Sequence, residues 1–192
     1  MNKKTATILI FCSAINLTAC STIISKTSGE GPVGTNPTQR SLGRMVDDQV
    51  IETYVAANIL KADEDFHSSN VRVTSFNGIV LLVGQVRSEQ LRQLAGQTAQ
   101  QVRNVRRAHN EITVSGPISI PARINDTWLT SKIKARMLAT QGVNPLRVKV
   151  VVENGVVYLM GMVSREEAEQ AVHLTHKTFG VQKIVKVFEY PA

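Results

Sequence analysis

The chain has 192 residues, room for more than one small domain, and 22 basic against 15 acidic side chains give it a net charge of +7. Its two cysteines, Cys12 and Cys20, both fall in the first twenty residues, so the rest of the chain has no thiol for catalysis, a disulfide or a metal. The basic balance suits an anionic partner, either nucleic acid or a membrane surface.

In chain order, Lys3 and Lys4 form a positive start, and 6–15 is an apolar run too short to cross a bilayer. The run ends in Leu17-Thr18-Ala19-Cys20, which resembles the bacterial lipobox at all four positions. That resemblance implies cleavage of signal peptide 1–19, diacylglycerol on the Cys20 thiol and acylation of the new amino group. The alternative is an ordinary signal peptide with a chance cysteine. Several acyl chains make a lasting anchor, since each buried methylene adds about 0.8 kcal/mol and one chain holds only marginally. Ser21 follows the cysteine, with no aspartate to resemble an inner-membrane retention signal, so the expected address is the periplasmic face of the outer membrane. Residues 20–45 comprise this cysteine and a Ser-, Thr-, Gly- and Pro-rich stretch that reads as a flexible tether.

Beyond the tether the chain repeats itself. Residues 71–86 (VRVTSFNGIVLLVGQV) and 148–163 (VKVVVENGVVYLMGMV) lie 77 positions apart and are identical at eight of sixteen aligned positions. Val80, Leu82, Gly84 and Val86 match Val157, Leu159, Gly161 and Val163, the every-second-residue pattern of the inward face of a half-buried strand. Asn77-Gly78 and Asn154-Gly155 sit between apolar runs and predict hairpins.

The units are therefore expected at 46–115 and 125–192, joined by a linker at 116–124. In each, a first helix follows Asp47-Asp48 or Asn125-Asp126 as N-cap, with Ile51, Val55 and Ile59 or Leu129, Ile133 and Met137 on its core stripe. The hairpin comes next. A second helix starts after Ser88 or Ser164 and buries Leu91, Leu94, Ala95, Thr98 and Val102, or Ala168, Ala171, Val172, Thr175 and Phe179. A last strand closes each unit, near 108–114 and 184–190. The predicted fold class is α+β: two α-β-β-α-β units, each with two helices on a three-stranded mixed sheet. Each unit is small, so packing between the copies is expected to add stability.

This order, with its V-x-V…N-G-x-V-x-L-x-G-x-V core, resembles the BON domain twice over, across nearly all of 46–190. Two such domains behind a lipobox resemble dual-BON lipoproteins of the Gram-negative periplasm, as do Val46-Asp47-Asp48 before the first domain and Asn125-Asp126-Thr127-Trp128 opening the second. The resemblance implies a non-enzymatic outer-membrane protein that binds anionic phospholipid through its second domain, supports envelope integrity and concentrates at division sites.

The copies differ in charge. Residues 46–115 carry seven basic and eight acidic side chains, whereas 125–192 carry nine and six, a net of +3. Aligned on the core stripes of the first helices, Val50, Tyr54 and Asn58 correspond to Trp128, Lys132 and Arg136, spaced i, i+4, i+8 on one stripe, with Lys134 on the same helix. An indole among lysines and arginines suits a phospholipid surface. Other readings stay open: Trp128 caps the core, packs between the domains, or meets a protein of the envelope assembly, peptidoglycan-processing or division machinery. Gly84 and Gly161, like Gly78 and Gly155, read as structural glycines. His173 and His176 form a helical pair without a third ligand, so no metal or cofactor is expected beyond the lipid on Cys20. Glu166, Glu167 and Glu169 suit the positive end of a helix. No catalytic motif is present, and the absence of aromatic stacking platforms and the periplasmic address argue against nucleic acid. A monomer is expected.

Overall fold

The computed structural model describes residues 42–191. Its elements run α1 (Leu42–Ala62), a 3-10 turn (Glu64–Ser68), β1 (Asn70–Phe76), β2 (Ile79–Val86), α2 (Glu89–Gln101) and β3 (Arg107–Val114) in the first copy. The second copy has α3 (Ile120–Ala139), β4 (Val148–Glu153), β5 (Val156–Met162), α4 (Arg165–His176) and β6 (Lys183–Glu189). Cys20 and nearly all of the expected tether lie outside the described residues.

Local chemistry explains these elements. Asn77 and Gly78 (φ 53° and 75°), like Asn154 and Gly155 (φ 48° and 75°), both take positive φ, the geometry of a two-residue turn whose twist matches the flanking strands. Ser88 accepts a hydrogen bond from the Leu91 N–H at the start of α2. Ser164 and Glu167 close a capping box at the start of α4. Within each sheet the central strand runs antiparallel to its hairpin partner and parallel to the last strand, which it reaches through the crossover helix α2 or α4.

The helices start earlier than their acidic residues suggested. α3 is capped by Ser119 and has proline in its first turn, so 120–124 are helical and not linker. Asp48 and Asp126 are consequently mid-helix and buried, not N-caps. Each grips the hairpin turn of its own domain. The Asp48 carboxylate accepts from the N–H groups of Asn77 (2.8 Å) and Gly78 (2.9 Å) and from the Ser75 hydroxyl. That of Asp126 accepts from Asn154 (2.7 Å) and Gly155 (2.8 Å).

Two cores lie between helices and sheets. One gathers Ile51, Val55, Ile59, Val80, Leu82, Ala95 and Ile112, and the other Leu129, Ile133, Met137, Val157, Leu159, Ala171 and neighbours. A third apolar layer joins the domains: Phe76, Ile79, Leu81 and Val83 pack against Val151, Tyr158, Met160 and Val187. The sheets thus stack through their helix-free faces, giving a helix–sheet–sheet–helix sandwich with the helices outermost. This corrects the expectation of a half-buried hairpin, because β2 is buried at every position. Gly84 and Gly161 sit where the paired strand comes close, and a Cβ on either would overlap the carbonyl oxygen of Asn70 or Arg147.

One pair of polar contacts at the rim of this layer is related by an approximate two-fold axis. The Lys149 ammonium donates to the Ser75 carbonyl (3.2 Å), and at the equivalent place Arg72 donates to the Val152 carbonyl (3.3 Å). Buried Glu153 accepts from the Gln85 amide (2.8 Å) and pairs with Arg72. Burial, with Glu111 and Glu153 adding repulsion, pushes the Tyr158 phenol up to about 12. Its ordinary value is near 10. The neutral phenol is therefore favoured in the folded state, and its contribution is full below pH 10 and lost as pH rises from 10 to 12. Urea midpoints measured across that window should fall in the native protein and fall less in Tyr158→Phe.

Candidate functional site

α3 is apolar on two sides. Leu129, Ile133 and Met137 point into the core and are fully buried. On the opposite side Ile120, Ile124 and Trp128 follow at i, i+4, i+8, with Leu138 beyond them, and all four are exposed; Trp128 retains 53% of its surface. Ser131 and Ala135, small and exposed, fill the space between Trp128 and Leu138.

The cations border this face. Along one edge the Lys132 ammonium sits 4.2 Å from the centre of the Trp128 ring, a cation–π contact. Arg136, one turn further, is partly buried and donates to the Lys177 carbonyl (2.8 Å) and the Thr178 hydroxyl (3.4 Å), steadying the end of α4. Along the other edge, by helical spacing, stand Arg123 and Lys134, both exposed. Lys134 is thus across the apolar face from Lys132 rather than on the Trp128 stripe.

Phe179 was expected in the core and is instead 86% exposed. The cause is a one-residue shortening of the second copy. Val80 lies beside Ala108 and Val157 beside Ile184, so the separation of central and last strand falls by one. Buried Thr178, not Phe179, therefore takes the place of Val102. The loop carrying Phe179 runs along α3, held by Arg136 at one end and by Gly180 against Leu129 at the other.

Ile120, Arg123 and Ile124 lie before Asp126, the expected start of α3, and Leu138 lies beyond the expected core stripe, so none of the four was singled out from sequence. The Ser119-Ile120-Pro121 cap was the available signal. The first domain repeats the outer apolar face with exposed Val46, Val50, Tyr54 and Leu60 on α1, but has Tyr54, Ala56 and Asn58 where α3 has Lys132, Lys134 and Arg136.

His173 and His176 are exposed on α4, and among the described residues no three His, Cys, Asp or Glu side chains gather as a metal site. No helix of the described residues is long and apolar enough to cross a membrane.

Comparison with known proteins gives these observations a context. The BON domain family matches residues 47–116 and again 125–192. Outer membrane lipoprotein DolP of Haemophilus influenzae is 37% identical over 158 residues, 82% of this chain and 81% of that protein. A 21 kDa hemolysin of Actinobacillus pleuropneumoniae is 35% identical, covering 79% and 78% of the two chains. Osmotically-inducible protein Y of Escherichia coli is 30% identical, covering 74% and 72%. The chain therefore belongs to the BON-domain family, as an outer-membrane lipoprotein of that family.

Proposed function

We propose that the protein is a non-enzymatic adaptor to the membrane itself: anchored by lipid on Cys20, it docks its second domain on anionic phospholipid through the outer face of α3. One observation carries this reading, the exposed row of Ile120, Ile124 and Trp128 bordered by lysines and arginines on both edges. The apolar centre suits the acyl boundary, while Lys132, Lys134 and Arg123 reach phosphates at its sides. Arg136 supports the site mainly by fixing the adjacent loop. Each basic group near an anionic surface adds about 1 kcal/mol, which alone gives weak binding. A tether from Cys20 makes weak binding sufficient by holding the domain at high effective lipid concentration. Support of envelope integrity, at division sites, is the cellular role this docking would serve.

Liposome co-sedimentation of the chain from Ser21 onward tests the proposal. Trp128→Glu removes apolar contact and adds a like charge, so binding to phosphatidylglycerol vesicles should fall about thirtyfold, near 2 kcal/mol, with an unchanged circular dichroism spectrum. Salt should weaken native binding without abolishing it. Equal native binding to phosphatidylcholine, or no effect of the substitution, would sink the claim. A second reading, a protein-interaction adaptor for envelope assembly or peptidoglycan-processing machinery, is favoured by the matching uncharged face of α1. Photocrosslinking from position 128 separates the two, capturing lipid in the first case and protein in the second.

A further inference from the structure

The two-fold relation between the Lys149 and Arg72 contacts is incomplete in one respect. In the first domain the Glu52 carboxylate of α1 reaches the edge of β1. One of its oxygens accepts from the Ser75 N–H (2.7 Å) and from the Lys149 ammonium of the second domain (2.8 Å). Lys149 also donates to the Ser75 carbonyl, so backbone N–H, backbone carbonyl, cation and carboxylate form a closed, neutral set.

The symmetry-related place has the same frame without the carboxylate. Val152 replaces Ser75, and its carbonyl accepts from Arg72, which replaces Lys149. Val152 pairs with Val157 as Ser75 pairs with Val80, the second pair from the turn, so its N–H points out of the β4 edge in the same way. The residue of α3 that replaces Glu52 is Thr130, whose hydroxyl turns back to the Asp126 carbonyl (2.8 Å). What remains is a cleft of about 140 Å³ lined by Asn70, Arg72, Arg123, Asp126, Thr127, Thr130 and Val152.

Its lining carries two guanidinium groups, Arg72 and Arg123, and one carboxylate, Asp126. Arg123 replaces Met45 of the first helix, and its guanidinium pairs with no carboxylate among the described residues. Arg72 keeps donors beyond those on Glu153 and the Val152 carbonyl, because a guanidinium has five. The Asp126 carboxylate is already engaged by the N–H groups of Asn154 and Gly155. The outward Val152 N–H and the Arg72 guanidinium are therefore placed as the Ser75 N–H and the Lys149 ammonium are around the Glu52 oxygen, and Arg123 lines the same cleft.

We propose that this cleft binds the phosphate of one anionic phospholipid, one phosphate oxygen standing where the Glu52 oxygen stands in the first domain. The inference rests on the membrane reading above and deepens it, because Arg123, on the edge of the α3 outer face, also lines the cleft. A helix lying in the interface sinks about 5–10 Å, which brings its flank level with the phosphates. The headgroup is thus read jointly, by Arg123 of the second domain and Arg72 of the first.

Thr130→Glu supplies the missing carboxylate and should close the site from within. Its preference for phosphatidylglycerol over phosphatidylcholine vesicles should fall at least about fivefold, the equivalent of one basic contact, with no loss of thermal stability. Arg123→Gln, at an exposed position, should act in the same direction should Thr130→Glu fail to fold. Trp128→Glu is the control and should lower binding to both lipids. If Trp128→Glu acts while Thr130→Glu and Arg123→Gln keep the native preference, the cleft proposal is overturned and the membrane reading stands. If Trp128→Glu also has no effect, both fall. Inorganic phosphate, against chloride at equal ionic strength, should compete with vesicles less than about twofold when a lipid is the ligand. Phosphate that shifts the Val152 amide resonance in the native chain while Arg123→Gln leaves vesicle binding intact would assign the cleft to a free anion and overturn the proposal.

Discussion

Asp126→Ala is expected to destabilise the protein by about 3 kcal/mol or more, and Asp48→Ala by at least as much. Each carboxylate is buried inside a helix and satisfies the turn N–H groups of its hairpin, two of them for Asp126. Asp48 accepts the Ser75 hydroxyl in addition. A hydrogen bond to a charged acceptor contributes about 1.5–3 kcal/mol, and its loss here leaves buried donors without partners. The size of the effect discriminates between two roles. An aspartate acting only as an N-cap would cost about 1 kcal/mol on replacement by alanine. Neighbouring Asp47 and Asn125 are exposed, and their alanine variants should change urea unfolding by less than about 0.5 kcal/mol. Equal effects at positions 125 and 126 would count against the anchor.

Leu81→Asp, or Met160→Asp, is expected to unfold both domains together. Both residues are fully buried in the layer between the sheets. Removing the apolar side chain costs about 2–5 kcal/mol, and an unpaired buried carboxylate adds several more. That sum is comparable with the whole stability of a small protein, about 5–15 kcal/mol. The native chain should show one urea transition by circular dichroism and by Trp128 fluorescence, since the shared layer couples the halves. Leu138→Asp, on the exposed outer face, should leave that transition nearly unmoved. Two separate transitions in the native chain would show the layer to be weak.

The order of elements was legible because the repeat displayed each one twice and the Asn-Gly turns fixed the hairpins. Burial was less so. The shared positions of β2 alternate, which suggested one wet face, yet Ile79, Leu81 and Val83 between them are apolar too. A continuous apolar run is the mark of a strand covered on both sides. The candidate site was half legible: Trp128, Lys132, Lys134 and Arg136 were found by comparing copies, while Ile120, Arg123 and Ile124 were assigned to a linker. Aspartate before a periodic apolar stripe looks like a cap whether it starts the helix or sits inside it. Phe179 shows a different limit, since a deletion of one residue is invisible until strand register exposes it.

The sheet-to-sheet layer has the form of a contact between two like subunits, each offering the same patch to the other. In a dimer of separate chains every substitution would appear on both sides of the axis at once. Here both sides belong to one polypeptide, so each half can change alone while the contact between them persists. Glu52 could thus remain on one side and Thr130 stand on the other, leaving one half closed on itself and the other free to receive something from outside.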